Sequence, residues 1–474
     1  MGSRKVTDWQ GKNVTVAGLG VSGIPAAKVL HGLGAKVTVV NDGDDARARA
    51  QAAELEALGI TVRLGDGATL PEGTELIVTA PGWKPDKPLF AAAHEAGVPV
   101  WGDVELAWRL RGPDAAPWLA VTGTNGKTTT VQMLASILKA AGLRTAAVGN
   151  IGVSLLDAVL GEEQYDVLAV ELSSYQLHWA PSLRAHSATV LNLAPDHLDW
   201  HGSMEAYARD KGRIYEGNRV ACVYNVADKA TEDLVREADV EEGCRAIGFT
   251  LGTPGPSQLG VVEGILVDRA FVENRQKNAQ ELAEVADINP PAPHNIANAL
   301  AAAALARAFG VPPKAVRDGL RAFTPDAHRI AHVADVDQVA YVDDSKATNT
   351  HAAEASLAAY DSIVWIAGGL AKGAVFDELV AKSAKRLRAA VLIGADRGLI
   401  REALARHAPE VPVVDLDRTD TGAMLAAVQE AKRLAQPGDT VLLAPACASM
   451  DMFANYNQRG DVFAEAVRGL GAGA

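Results

Sequence analysis

Ala120-Val-Thr-Gly-Thr-Asn-Gly-Lys-Thr-Thr-Thr130 follows a short apolar run, Trp118-Leu-Ala-Val, and leads into a helical pattern. It therefore marks a turn between a strand and a helix. Glycine-rich turns of this kind let backbone N–H groups point inward at phosphate oxygens, at a helix N-terminus whose dipole also favours anions. Lys127 is placed to reach the β- and γ-phosphates, and Thr128 to offer a hydroxyl to Mg²⁺. The usual spacing asks for glycine at position 121, where this chain has Val121, so the loop is a variant with its first glycine at Gly123. A merely structural turn that happens to carry a lysine would not need three threonines after it. The stretch is read as a phosphate loop.

The rest of such a site belongs at the carboxyl ends of neighbouring strands. Glu171 ends the run Asp166-Val-Leu-Ala-Val-Glu171, and Asp196 and His197 follow Ala188-Thr-Val-Leu-Asn-Leu-Ala-Pro195. Magnesium prefers oxygen ligands, which suits Glu171; a histidine ligand is less usual. Taken singly, each could be a strand-end acid or a polar loop, and their shared topological position is what raises them.

Outward from this centre the chain reads as three α/β units. In the first, strand-like runs at Asn13–Ala17, Lys36–Val40, Thr61–Leu64, Glu75–Thr79 and Val98–Trp101 alternate with helical stretches, the pattern of a parallel sheet with crossover helices. Gly18-Leu-Gly-Val-Ser-Gly23 matches GxGxxG after a strand, and Asp42 ends the next one. Physically, the motif says that a diphosphate can approach a helix N-terminus. A dinucleotide and a nucleotide-sugar diphosphate satisfy it equally, so an oxidoreductase is a rival reading.

The breaker-rich run Arg111–Pro117 is the first boundary and Phe323-Thr-Pro-Asp326 the second, giving units 1–113, 114–324 and 325–474. Between them, Phe271–Glu284 is polar and reads as a helix or surface insertion, and Ile296–Phe309 as a long alanine-rich helix. The third unit has strands near Val339–Val342, Ser362–Ala367, Ala389–Ile393 and Thr440–Ala444. Three loops follow strands there: Asp343-Asp-Ser-Lys-Ala-Thr-Asn349, Gly368-Gly-Leu-Ala-Lys-Gly-Ala374 and Ala444-Pro-Ala-Cys-Ala-Ser449. They put hydroxyls, ammonium groups and glycine backbone on one rim, which suits a small dicarboxylate or an amino acid.

Composition narrows the class. The 474 residues are 48% apolar and 22% charged, ordinary globular usage that argues against a disordered chain or a disulfide scaffold. A net charge of −13 argues against nucleic acid or an anionic membrane as main partner. Cys222, Cys244 and Cys447 are widely spaced with no CxxC, so neither a disulfide framework nor a thiolate zinc site is expected, and a reducing, cytoplasmic compartment fits. Cys447 reads as a small buried filler rather than a nucleophile. No segment has the ~20 apolar residues of a membrane span, and Met1–Gln10 lacks the apolar stretch of a signal peptide.

Thr122-Gly-Thr-Asn-Gly-Lys-Thr-Thr129, Glu171-Leu-Ser-Ser-Tyr-Gln176, Asp196-His-Leu-Asp-Trp-His201 and Pro293-His-Asn295 together resemble the Mur ligases, the ATP-dependent amino-acid-adding enzymes of peptidoglycan synthesis. Within that family, the loops at Asp343 and Ala444, with Arg459-Gly-Asp-Val-Phe463, resemble the D-glutamate-adding member. The resemblance runs over essentially the whole chain. It implies a UDP-binding Rossmann-like domain, a central P-loop-type ATPase domain and a C-terminal Rossmann-like domain that takes the amino acid, closing over UDP-N-acetylmuramoyl-L-alanine, ATP and D-glutamate. It favours UDP at the first glycine turn, with Val21, Ser22, Asp42, Asn150 and His197 on the UDP-sugar side.

Thr124, Asn125, Gly126, Lys127, Thr128, Thr129 and Thr130 would hold the triphosphate, with Asn295, Arg329 and Asp344 on the ATP side as well. Lys346, Thr348, Lys372, Ser449 and Tyr456 would face D-glutamate or the acyl phosphate. Two Mg²⁺ ions are implied, ligated by Thr128, Glu171, His197 and Lys211; the last matches a lysine carbamylated in the family. A cytoplasmic monomer is implied too. The chain departs from the family pattern at Leu370 and Val375, where acidic residues are common, and at Tyr456, where phenylalanine is.

Overall fold

The computed structural model describes residues 8–418 and 420–471; part of the N-terminal stretch read above, residues 1–7, lies outside them. Three sheets fall along the chain. The first joins β1 (Asn13–Ala17), β2 (Lys36–Asn41), β3 (Thr61–Leu64), β4 (Leu76–Thr79) and β5 (Val100–Gly102) in the order β3-β2-β1-β4-β5, all parallel. That order reverses direction beside β1, so the loops after β1 and β4 border a crevice at the carboxyl edge.

The second sheet contains β6 (Trp118–Thr122), β7 (Ala147–Gly149), β8 (Leu168–Glu171), β9 (Ser187–Val190), β10 (Ala221–Asn225), β11 (Arg245–Phe249), β12 (Gln258–Val262), β13 (Ile265–Asp268) and β14 (Gln280–Glu284). Its order is β14-β13-β12-β11-β10-β9-β6-β8-β7, and β6 is flanked by β8 and β9, both parallel to it. The third sheet holds β15 (Ala331–Val336), β16 (Val339–Asp343), β17 (Ile363–Gly368), β18 (Leu387–Ile393), β19 (Val413–Asp415) and β20 (Thr440–Leu443) in the order β15-β16-β20-β17-β18-β19.

The chain divides into two compact units. One comprises residues up to Asp287 with Ala297–Ala322, the other Ile288–Ile296 with Phe323 onward. The first therefore contains both the first and second sheets. The reason is visible at Arg111–Pro117, the breaker-rich run between them. Trp108 and Trp118 meet edge to face across it at 5.0 Å, and the Arg111 guanidinium lies over Trp108. A single apolar cluster runs from Trp9 through Trp108 and Trp118 to Cys222. The second unit has its core on both faces of its sheet, around Trp365 on one side and Phe463 on the other.

Most expected strands are present within a residue or two, and the alanine-rich helix spans Pro293–Ala308 with Ala299 to Ala306 wholly buried. For residues 271–284 the helix alternative is corrected, while 271–279 form mostly exposed turns, as a surface insertion would. The stretch holds no helix, and Gln280–Glu284 is the edge strand β14, paired antiparallel with β13. Its polar ends are exposed while Leu282 and Ala283 are buried, so tertiary pairing overrode a polar composition. Among the described residues no helix is long and apolar enough to cross a membrane. The three cysteines are free; Cys222 and Cys244 face each other at 3.9 Å, and burial pushes the Cys447 thiol up to about 12, as befits a filler.

Candidate functional site

Val121 is a buried strand residue paired opposite Glu171 on β8, which is why no glycine stands there: β6 runs on to Thr122 and the turn begins at Gly123. The loop closes on the helix Lys127–Ala140, whose N-cap is Gly126 at φ 84°. A Cβ at Gly126 would lie 2.4 Å from Asn298 Oδ1, so both backbone angle and space require glycine. Thr128, Thr129 and Thr130 are buried on the first helical turn. The amino end of a 14-residue helix and a glycine turn together present backbone N–H groups and a positive dipole end that suit an anion.

The loop after β9 clasps this turn. Thr124 N–H donates to the Asn192 carbonyl at 3.0 Å and Asn125 N–H to Asn192 Oδ1 at 2.9 Å, while Asn192 Nδ2 returns to the Asn125 carbonyl at 3.1 Å. Thr124 Oγ1 meets the Tyr207 hydroxyl at 3.0 Å. Asn192 and Tyr207 carry no motif of their own, and only their contacts reveal them.

Lys127 and Lys211 converge on one carbonyl. Lys127 Nζ donates to Gly123 O at 3.0 Å and Thr124 O at 2.9 Å; Lys211 Nζ donates to Gly123 O at 2.8 Å and Thr122 Oγ1 at 3.3 Å. Lys211 is 2% exposed. Burial, and then the Lys127 charge, pushes its amine well below the ordinary lysine range, against the pull of Asp196 and Glu171. Glu171 is also buried. Its Oε1 accepts from Asn150 Nδ2 at 2.9 Å, whereas Oε2 is buried without a hydrogen-bond partner among the described residues. An unsatisfied buried carboxylate oxygen is a group that a divalent cation satisfies, so the donor set fits Mg²⁺.

His197 sits at φ 54° as N-cap of the short helix Leu198–His201. Burial outweighs the pull of Asp196 and holds its imidazole below the ordinary value, the neutral form a metal ligand needs. Behind these groups Asp210, which no motif flags, accepts from His178 Nδ1 at 2.9 Å and His201 Nδ1 at 3.0 Å. Burial opposes its ionisation, but those bonds prevail and hold the carboxyl down at about 2.

In the first glycine turn, a Cβ at Gly23 would stand 1.9 Å from the Gly18 carbonyl, so the last glycine of the motif serves close helix packing. Val21 is 90% exposed at the tip. Ser22 Oγ donates to Asp103 Oδ2 at 3.1 Å, Leu19 N–H donates to Asn41 Oδ1, and Asp42 pairs with Lys87 at 2.5 Å. Asp103 is a site neighbour that the motif does not reveal.

In the second unit β20 lies between β16 and β17, all parallel, so their following loops share one edge. Ala446 N–H donates to Ala347 O at 2.9 Å, and Leu370 and Ala448 exchange bonds of 2.9 and 3.0 Å. The segments carrying Lys346 and Thr348, Lys372, and Ser449 are thus stitched together. Lys372 is an exposed residue at φ 50°, and Val375 is exposed; Lys346 Nζ lies 3.9 Å over the Tyr456 ring. Asp344, beside Ser356, is pushed up to about 6 by burial. Asn295 Nδ2 donates to Pro290 O at 3.2 Å.

Arg459, quoted above only as part of a resembling stretch, is the brace. It is wholly buried and donates to Ser345 Oγ (3.0 Å), Ser345 O (2.8 Å) and Cys447 O (3.1 Å).

Comparison with known proteins agrees with this architecture. Residues 121–306 match the model of the Mur ligase middle domain, and 328–447 that of the Mur ligase glutamate ligase domain. Residues 13–78 match pyridine nucleotide-disulphide oxidoreductases, a segment that covers little beyond β1 to β4. The UDP-N-acetylmuramoylalanine--D-glutamate ligase of Streptomyces avermitilis is 91% identical over 98% of this chain and 100% of its own length. That of Thermobifida fusca is 59% identical over 97% and 99%. Among solved structures, UDP-N-acetylmuramate-alanine ligase from Thermotoga maritima aligns at TM-score 0.56 with 18% identity over 97% of this chain and 99% of that one, a likeness of fold alone. With near-identity to such relatives from end to end, the chain belongs to the Mur ligases, in the family of UDP-N-acetylmuramoylalanine--D-glutamate ligases.

Proposed function

We propose that the protein joins D-glutamate to the L-alanyl carboxylate of UDP-N-acetylmuramoyl-L-alanine at the expense of ATP, as a cytoplasmic monomer. The observation that carries this reading is the convergence of Lys127 and buried Lys211 beside Glu171 on one strand edge, in a chain whose full-length relatives bear that name. Residues 1–113 take the UDP-sugar through Val21, Ser22 and Asp42, joined by Asn150 and His197 of the following unit. Residues 114–324 take ATP through the turn Thr124–Thr130 and Asn295, and residues 325–474 take D-glutamate and also offer Arg329 and Asp344 to the nucleotide.

The L-alanyl carboxylate oxygen attacks the γ-phosphorus of ATP, ADP leaves, and an acyl phosphate forms. The amine of D-glutamate then attacks the acyl carbon, a tetrahedral intermediate collapses, and inorganic phosphate leaves with formation of the amide. Lys127 offsets charge on the transferring phosphoryl group, and the loop N–H groups orient it. Thr128, Glu171, His197 and a carbamylated Lys211 would hold two Mg²⁺ ions, which supply charge neutralisation between two anions. The lowered basicity of Lys211 supports carbamylation, since only a neutral amine adds CO₂. Lys346, Thr348, Lys372, Ser449 and Tyr456 receive the amino acid, the first four through charge-assisted or hydroxyl hydrogen bonds.

The match at residues 13–78 favours one other reading, a dinucleotide-dependent oxidoreductase, which has no use for Lys127 or Glu171. An ADP-release assay with a panel of D- and L-amino acids decides between them. ADP release that requires both the UDP-sugar and D-glutamate supports the ligase. NAD(P)H consumption, or ADP release with another amino acid alone, refutes it.

A further inference from the structure

Asp210 stands one residue before Lys211 on the helix Met204–Gly212 and is 4% exposed. Its Oδ2 meets His178 Nδ1 at 2.9 Å and His201 Nδ1 at 3.0 Å, while its Oδ1 faces Arg213 Nε at 3.3 Å. A carboxylate only accepts, so both imidazoles present Nδ1–H to it. His201, when neutral, keeps Nε2 as an acceptor, and the Ser174 hydroxyl, 2.9 Å away, donates to it.

Ser174, His201 and Asp210 thus follow the order of a nucleophile, base and acid relay. Yet Ser174 is 2% exposed and the His201 side chain is wholly buried, so no substrate reaches the hydroxyl. The chain of bonds has another use, which lies in what it connects. Ser174 opens the helix Ser174–His178 three residues after Glu171, and His178 closes that helix. His201 closes the helix Leu198–His201, whose N-cap is His197. The ring of Tyr175 lies 5.6 Å from His201 in parallel stacking and 4.9 Å from His197. One buried carboxylate is therefore bonded, directly or through His201, to the segments that bear Glu171, His197 and Lys211.

We propose that Asp210, acting through His178, His201 and Ser174, is a positioning residue that holds Glu171, His197 and Lys211 in the mutual geometry a divalent cation requires. This rests on the ligand set given under the proposed function. Carboxylate–histidine bonds behind a metal site fix ring orientation, and their loss commonly weakens metal binding roughly 10–100-fold.

The test uses full-length Asp210→Asn and Ser174→Ala. Mn²⁺ binding in the presence of ATP is followed by electron paramagnetic resonance, without UDP-sugar or amino acid, and the Mg²⁺ dependence of ADP release is measured alongside. Asp210→Asn should raise both cation constants about tenfold or more, and Ser174→Ala should raise them less. The double variant should be no worse than Asp210→Asn alone, because the serine acts through His201. The KM for D-glutamate should stay within twofold. Unchanged cation constants in Ser174→Ala and in a folded Asp210→Asn overturn the proposal, as does a lowered melting temperature with unchanged constants. Ligation by the wild-type enzyme, assayed in parallel, reports on the proposed function separately, since Mn²⁺ binding needs no ligation.

Discussion

The phosphate turn of the first unit and the loop rim of the second both present lysines after parallel strands, yet they are built in opposite ways. Against the turn a lysine is buried: Lys211, on the helix Met204–Gly212, is 2% exposed, and its amine is bound to the Gly123 carbonyl. At the rim the buried cation is the brace, Arg459 at 0% exposure, while Lys372 is exposed to solvent on a left-handed backbone. A lysine out of water loses its proton readily and becomes open to covalent change. A solvated one serves to attract carboxylates, with the shape of its loop set from behind. One region is assembled before its ligand arrives, and the other offers a rigid edge with exposed groups on it.

The contrast is broken most severely at Lys127. Lys127→Ala should lower kcat at least about 10³-fold, the scale seen when a preorganised charge partner of a transferring group is removed. Near-normal turnover, measured by ADP release, would mean that the turn is not the phosphate site.

Lys211→Ala tests the covalent half of the contrast. Ligation should fall by about 10²-fold or more, and acetate or formate should restore part of it by supplying the missing oxygens. An alanine variant fully active in CO₂-depleted buffer would reduce Lys211 to a packing residue.

At the rim the brace and the exposed groups should separate. Arg459→Met strands the carbonyls of Ser345 and Cys447, each worth about 1–3 kcal/mol when buried and unpaired. The expected result is a melting temperature lowered by several degrees together with a raised KM for D-glutamate. Ser449→Ala should raise that KM about tenfold, the equivalent of one lost hydrogen bond to a charged group, and leave melting unchanged. Equal effects of the two on melting would erase the distinction between brace and binding group.

A smaller effect lies in pH. Burial raises the Asp344 carboxyl from 3.8 to about 6, so the folded protein binds more protons than the unfolded chain between those values. Stability should therefore fall as pH rises from about 4 to 6, by about 3 kcal/mol from this group, and then level off. Asp344→Asn should flatten that slope in thermal melts; an unchanged slope would assign it to other carboxylates.

What could be read from the residues alone follows the same contrast. The phosphate turn is written locally, in Gly123, Gly126 and Lys127, and even its departure at Val121 is explained by one more strand residue. Glu171 and His197 were reachable because strand ends share an edge. Asp210, Asn192 and Arg459 were not, since their partners lie 9 to 114 residues away and no period links them. Edge strand β14 escaped for a related reason: only its pairing with β13 makes Gln-Glu-Leu-Ala-Glu extended.

The central claim, that ATP activates a carboxylate for amide formation, is tested most directly by isotope transfer. UDP-N-acetylmuramoyl-L-alanine labelled with ¹⁸O in its L-alanyl carboxylate is turned over with ATP and D-glutamate, and the released phosphate is analysed by mass. Attack of that carboxylate on the γ-phosphorus moves one labelled oxygen into each phosphate, which is the predicted result. Phosphate released without label would show that ATP is hydrolysed by water, and would contradict the account.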